Sequence, residues 1–191
     1  MDKAVLYVHG KGGDASEAGQ FAKNCPGFAV IGASYDGEQP WNAVKQIAAA
    51  FDGLAREYQQ VSVIANSIGA YLSMIALQNR RIGKALFISP VLDMEKLILG
   101  MMEQADVTEA ELRERGEIPT ESGETLSWRY LCFVRENPHC LEHPDGSSVR
   151  RKGRPDLPRN GGRLCEGAGR VPHRDGERRA LVPYRRAACL S

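Results

Sequence analysis

Hydrophobic residues are concentrated in four short runs that are almost continuously apolar. The runs are Ala4–Val8, Phe28–Ala33, Val61–Ala65 and Ala85–Ser89. Strands of a parallel sheet that is covered on both faces show this pattern, because neither of their faces meets water. The four runs therefore predict four buried, parallel β-strands.

Amphipathic stretches separate these runs and predict helices. Ala15–Lys23 is short, and Asp14 or Ser16 is placed to cap it. Pro40–Tyr58 is longer, with a proline in its first turn and apolar residues at helical spacing. Ile68–Gln78 follows the third apolar run directly. The order β-α-β-α-β-α-β predicts a doubly wound, mostly parallel α/β sheet.

Residues 93–137 have a different pattern, with scattered large apolar residues and no run that resembles a strand. These apolar residues are Met94, Leu97, Ile98, Met101, Met102, Leu112, Trp128, Leu131 and Val134. We expect two or three helices here, lying as a cap over the carboxyl edge of the sheet. An open sheet of this class needs more than four strands to enclose its core, yet no further strand is predicted after residue 90.

Composition changes abruptly at residue 139. Residues 1–138 contain 13 Lys or Arg and 18 Asp or Glu, whereas residues 139–191 contain 12 Lys or Arg and 6 Asp or Glu. The second segment has no Ile, Phe, Met or Trp, and 12 of its residues are Gly or Pro. Such a segment has little apolar surface to offset its ordering entropy, so it is expected to be mostly disordered.

The same composition argues against several classes of function. The whole chain has 25 basic and 24 acidic residues, a balance that does not suggest a nucleic-acid partner. Its five cysteines are odd in number and follow no signal peptide, which argues against a disulfide framework. Cys140 with His139 and His143 lacks the four ligands of a zinc site. The opening apolar run is too short for a secretory or membrane segment, so a cytoplasmic protein without a membrane partner is expected.

The most specific motif is I-A-N-S-I-G-A over Ile64–Ala70, where a predicted strand runs into a predicted helix. Small residues, Ala65 and Gly69, lie two positions before and after Ser67, as in the nucleophile-elbow pattern G-x-S-x-G with alanine in the first position. A serine in so tight a turn needs small neighbours, because strand and helix pass closely there. The alternative is that the serine merely caps the helix.

A second motif, His9-Gly10-Lys11-Gly12-Gly13, follows the first predicted strand. Its glycines let backbone approach an acyl oxygen, and we expect an oxyanion hole formed by the N–H groups of Lys11 (or Gly12) and Ile68. His9 is expected to support the loop rather than act as a base. The spacing fits neither a dinucleotide-binding G-x-G-x-x-G nor a P-loop.

Together these motifs resemble those of small single-domain bacterial α/β-hydrolases. The resemblance runs from residue 3 to residue 138 and includes K-A-V-L-Y-x-H-G-K-G-G, A-N-S-I-G-A and the stretches Ile88–Leu97 and Gly123–Pro138. It implies a domain over 1–138 and a cofactor-free serine hydrolase that cleaves an ester-like bond of a small acyl substrate. The implied catalytic triad is Ser67 with a later Asp, in Y-G-E-x-D, and a later His, in G-E-H-W-F-H. The chain contains neither segment, so its triad acid and histidine are absent.

The genetic code offers a reason for this loss. When the last two bases of each codon are joined to the first base of the next, His139–Asp156 permits I-A-W-N-I-P-T-A-V-L-Y-G-E-K-D-D-L. Pro172–Ala188 permits L-T-V-M-E-N-G-E-H-W-F-H-T-E-E-Q in the same frame. The sequence therefore predicts a frameshift near the codon of His139, with residues 139–191 translated off-frame. The 191-residue chain is therefore expected to be unstable and nearly inactive.

Two other kinds of function stay open from the sequence. One is a catalytically silent remnant that binds an apolar acid between the Gly10–Gly13 loop and the cap. The other is a protein that contacts nucleic acid through the arginines of 150–159, although 139–191 has a single aromatic residue, Tyr184. The sequence does not define the oligomeric state, nor does it separate an ester from a thioester or amide substrate.

Overall fold

The computed structural model describes residues 1–137, so the segment predicted to be off-frame lies outside the described residues. Four strands form its main sheet: β1 (Lys3–Val8), β2 (Ala29–Gly32), β3 (Gln60–Asn66) and β4 (Ala85–Ile88). Their order is β2-β1-β3-β4, and every neighbouring pair is parallel. The prediction of a parallel α/β sheet is confirmed, with each strand within one residue of its predicted ends.

Burial follows position in the sheet. The side chains of β1 from Ala4 to Val8 are all at most 1% exposed, because this strand has neighbours on both sides. By contrast, β4 lies at an edge of the sheet within residues 1–137, and Leu86 is 37% exposed. An apolar strand at an open edge is an aggregation hazard.

Three helices connect these strands: a 3₁₀ helix at Ala15–Asn24, α1 at Pro40–Glu57 and α2 at Ile68–Ala76. The sequence predicts a helix at the first of these positions but does not indicate that it is a 3₁₀ helix. Asp14 caps it by accepting a hydrogen bond from the Ser16 N–H at 2.6 Å. The stretch α1 begins with a proline, whose missing N–H costs nothing in the first turn.

Helices cover both faces of the sheet. Leu6 and Val8 belong to the core cluster that includes Ile47 of α1 and Leu72 of α2. Successive strand residues point to opposite faces, so Tyr7 faces the other side. There its ring lies 4.9 Å from the ring of Phe21 in the 3₁₀ helix. The loops that leave β1 and β3 therefore lead to opposite faces of the sheet.

The side of the sheet on which successive strands are added reverses at β1, between its neighbours β2 and β3. The first connection leads from β1 to β2 on one side, and the next two lead to β3 and β4 on the other side. In open α/β sheets, ligands bind beyond the carboxyl ends of the strands at such a switch point. In this chain the point is flanked by the loop after Val8 and the turn after Asn66.

Residues 93–137 form three helices, α3 (Met94–Gln104), α4 (Glu109–Arg115) and α5 (Trp128–Glu136). The expectation that no strand follows residue 90 is wrong, because β5 (Glu117–Pro119) and β6 (Thr125–Ser127) form an antiparallel hairpin. Ile118 pairs with Leu126, and both are buried. Strands of three residues are too short to show a clear alternation of apolar and polar positions. We call 93–137 the cap segment.

Arg135 joins the three cap helices. Its Nε donates to Glu95 of α3 at 2.8 Å, and its two terminal nitrogens donate to Glu109 of α4 at 2.7 and 2.8 Å. The guanidinium holds the pKa of the Glu109 carboxyl below its usual range, since the hydrogen bond favours the charged form. Ion pairs therefore stabilise the cap segment in addition to its buried apolar residues.

Candidate active site at the carboxyl ends of β1 and β3

Ser67 occupies the sharp turn between β3 and α2, with φ 51° and ψ −119°. Few residues other than glycine adopt such a positive φ, so this backbone is strained. Neighbouring backbone holds it: the Ser67 N–H donates to the Ile88 carbonyl at 2.9 Å, and the Ser67 carbonyl accepts from the N–H of Val91 at 3.3 Å. The serine makes no side-chain capping hydrogen bond to the helix. Its hydroxyl is thus not used as a cap.

The residue at position 69 is a glycine because α2 passes very close to the end of β1. A Cβ built on Gly69 would lie 2.1 Å from the His9 carbonyl oxygen and 2.8 Å from that of Val8. Heavy atoms cannot approach so closely, and the atoms on the other side are backbone. On the strand side of the turn, Ala65 is fully buried in register with Val8. Small side chains at 65 and 69 therefore have a steric cause.

Strain at position 67 predicts the relative stability of two variants. The free energy of unfolding of Ser67→Gly is expected to be about 1–2 kcal/mol higher than that of Ser67→Ala, because glycine adopts the positive φ without a Cβ penalty. Urea denaturation of both variants measures the difference. Ser73 in the interior of α2 is the matched control, where glycine is expected to be less stable than alanine. The same order at both positions would contradict a strained turn at Ser67.

The loop after β1 lies against this turn. Gly10 and Gly13 close a tight turn through a hydrogen bond of 3.2 Å from the Gly13 N–H to the Gly10 carbonyl, and Gly12 has φ +71°. A Cβ built on Gly10 would lie 3.3 Å from the Cβ of Ser67 and 3.3 Å from Nδ2 of Asn66. The structure thus brings the glycine loop and the predicted nucleophile into contact.

Two N–H groups border this contact, those of Lys11 and Ile68. Within residues 1–137, neither group takes part in a backbone hydrogen bond of the loops and turns, and Ile68 is the first residue of its helix. The first N–H groups of a helix lack partners within the helix, and they attract negative charge. The Lys11 side chain points elsewhere, because its ammonium pairs with Glu124 in the β5–β6 turn and is 67% exposed.

His9 lies beneath the loop and is 7% exposed. Its ring stacks on that of Tyr35 with centroids 4.2 Å apart, and its Nδ1 is 2.8 Å from the Gly10 carbonyl oxygen. Tyr35 also donates from its hydroxyl to the His9 carbonyl at 2.6 Å. These contacts fix the backbone from which the loop starts.

Glu17 is a supporting residue that the sequence reasoning missed. The Tyr7 hydroxyl donates to its carboxylate at 2.6 Å, and a Cβ on Gly13 would lie 2.5 Å from the other carboxylate oxygen. Burial, followed by the hydrogen bond to Glu17, raises the pKa of Tyr7 well above its usual value. A buried tyrosine needs a hydrogen-bond partner, and that requirement was the available signal in the sequence.

No protein-family model matches the chain, and a search of curated proteins gives no match. Among residues 1–137, no helix combines the length and apolar character that a membrane span requires. No group of three or more His, Cys, Asp or Glu in that part of the chain is placed to hold a metal ion. The function must therefore be argued from the geometry around Ser67 and from the sequence motifs.

Proposed function

We propose that this chain derives from a serine hydrolase of the α/β-hydrolase type, whose Ser67 attacks a carboxylic ester or similar acyl group. One observation carries the proposal: Ser67 is held in a strained strand-to-helix turn and packs so closely against the glycine loop that a Cβ added to Gly10 would lie 3.3 Å from the Ser67 Cβ. Both lie at the switch point of the sheet, where ligands bind in this class of fold.

The chemistry is acyl transfer to water. The Ser67 oxygen bonds to the carbonyl carbon, and the resulting oxyanion accepts hydrogen bonds from the N–H groups of Lys11 and Ile68. A general base takes the hydroxyl proton and returns it to the leaving alkoxide, which leaves an acyl-serine. Water then attacks the acyl-serine by the same route, releasing the carboxylic acid and regenerating the hydroxyl.

The proposal also accounts for the general base and the acid that orients it. His9 is the one histidine before residue 139, and its Nδ1 and ring face are occupied by Gly10 and Tyr35. The triad histidine and aspartate would come from the alternative reading frame after Pro138. The edge of β4 that no strand of residues 1–137 covers supports that idea, because further strands of the sheet would lie there.

A silent ligand-binding protein is the second candidate. The contacts of His9, the one histidine before residue 139, favour it, because Gly10 and Tyr35 occupy its Nδ1 and its ring face. Such a protein would bind a small acyl compound or carboxylic acid without turnover.

Hydrolysis of p-nitrophenyl acetate by the 191-residue chain tests the proposal. We expect a rate close to that of the uncatalysed reaction, with only the small residual catalysis that an oxyanion hole gives without a base. Ser67→Ala is the control and is expected to change the rate little. An ordinary enzymatic rate that Ser67→Ala abolishes would show that the chain has its own base, and the frameshift proposal would be wrong.

A further inference from the structure

A second strained serine lies beside the turn that carries Ser67. Ser89 follows the last residue of β4 and has φ 43°, in the left-handed region that residues other than glycine rarely adopt. Asn66 and Ile88 are register partners in the parallel strands β3 and β4, so the residues that follow them leave the sheet side by side. Neighbouring strands of a sheet lie about 4.8 Å apart. The two strained serines therefore occupy adjacent strand ends.

The residue after Ser89 makes its conformation more costly. Pro90 follows it, and a residue before proline is restricted mostly to extended backbone with negative φ. Such strain persists only where surrounding contacts hold it, and it is concentrated at functional sites. Within residues 1–137, the residues other than glycine that have a positive φ are Ser67, Ser89 and Asp106. Two of these three lie at the proposed site.

The turn after β4 returns the chain to Ser67. The Ile88 carbonyl accepts a hydrogen bond from the Ser67 N–H at 2.9 Å, and the Val91 N–H donates to the Ser67 carbonyl at 3.3 Å. The same carbonyl accepts from the Ala70 N–H at 3.2 Å in the first turn of α2. Both backbone polar groups of Ser67 are thus held, and the segment after β4 holds each of them.

We propose that Ser89 is a positioning residue for the oxyanion donor at Ile68. The Ser67 carbonyl and the Ile68 N–H belong to one planar trans peptide unit, so they point in opposite directions. A hydrogen bond from Val91 to that carbonyl therefore fixes the direction of the Ile68 N–H. The inference rests on the proposed hydrolase function, and it gives the strained turn after β4 a part in orienting the oxyanion hole.

Two substitutions of Ser89 test this inference in the full 191-residue chain. Valine is branched at Cβ and is poorly accommodated at positive φ, so Ser89→Val is expected to open the turn. Hydrogen exchange of the Val91 N–H is then expected to be about threefold to tenfold faster, the effect of losing one backbone hydrogen bond, and the NMR signal of the Ile68 N–H is expected to shift. Ser89→Gly adopts the same φ without strain and is expected to leave both readouts as in the parent chain.

Asp106→Val is the matched control, because Asp106 also has a positive φ, 53°, but lies between α3 and α4. It is expected to lower the Tm as Ser89→Val does and to leave the Val91 and Ile68 signals unchanged. A scalar coupling across the hydrogen bond, between the Val91 nitrogen and the Ser67 carbonyl carbon, is expected in the parent chain. This last measurement needs no variant to fold, and absence of the coupling overturns the inference.

The other outcomes are equally decisive. If Ser89→Val leaves both readouts unchanged, or Asp106→Val alters them equally, the turn does not position Ile68 and the inference is overturned. If Ser89→Gly alters them as strongly as Ser89→Val, the hydroxyl rather than the backbone conformation is responsible, which also overturns it. No substrate takes part in these measurements. The proposed function fails by a different observation, ester hydrolysis by a frame-restored chain that does not depend on Ser67.

Discussion

Restoring the reading frame after Pro138 is expected to raise the rate of p-nitrophenyl ester hydrolysis on the order of 10⁴ to 10⁶ over the 191-residue chain. The frame is restored by inserting or deleting one base near the codon of His139. The factor corresponds to about 5.5–8 kcal/mol of transition-state stabilisation, at about 1.4 kcal/mol for each tenfold. It is large because the members of a triad act as a unit, so a serine without its histidine loses almost the whole effect.

Two physical changes produce this gain. The restored segment T-A-V-L-Y-G would supply an apolar strand beside β4, at the edge that no strand of residues 1–137 covers and where Leu86 is 37% exposed. The restored aspartate and histidine would activate the hydroxyl of Ser67. The restored chain carrying Ser67→Ala is the matched control and is expected to fold equally well without hydrolysing the ester. A restored chain that folds but hydrolyses no faster than the 191-residue chain would contradict the frameshift proposal.

Gly69→Ala is expected to lower the free energy of unfolding by about 3 kcal/mol or more. The added methyl group would lie 2.1 Å from the His9 carbonyl oxygen, so α2 must move away from the end of β1. Backbone on both sides of the contact leaves no flexible side chain to yield. Urea denaturation followed by circular dichroism measures the loss.

Gly53→Ala is the matched control for this prediction. Gly53 lies inside α1, where an added Cβ would meet nothing within 4 Å. Alanine is the better helix former, so this variant is expected to be about 0.5–1 kcal/mol more stable than the parent chain. If both variants change stability by the same amount and sign, the close passage of α2 beside β1 is wrong.

The strands and the turn at Ser67 could be predicted because their physical causes leave marks in the local sequence. A strand buried on both faces must be apolar throughout, as Val61–Ala65 nearly is. A strained turn between closely packed elements requires small residues at fixed positions, as Ala65 and Gly69 show. Both constraints act within a few residues of one another along the chain.

The missed features depend on tertiary contacts that leave no periodic pattern in the sequence. The β5–β6 hairpin is held by one buried pair, Ile118 with Leu126, and its three-residue strands have no periodicity to detect. Glu17 accepts a hydrogen bond from Tyr7, ten residues earlier; the sequence shows that a buried tyrosine needs a partner but not which residue supplies it. The packing of α5 against α1 likewise joins residues far apart in sequence, because Arg129 and Phe133 contact Trp41. Long-range packing of this kind decides which polar groups find partners.

Mass spectrometry of the frame-restored chain after treatment with a fluorophosphonate tests the role of Ser67 most directly. We expect one covalent adduct, on the peptide that contains Ser67, and no adduct on the Ser67→Ala variant under the same conditions. Ester hydrolysis by a restored chain that carries its adduct on another residue, or carries none, would contradict the assignment of Ser67 as the nucleophile.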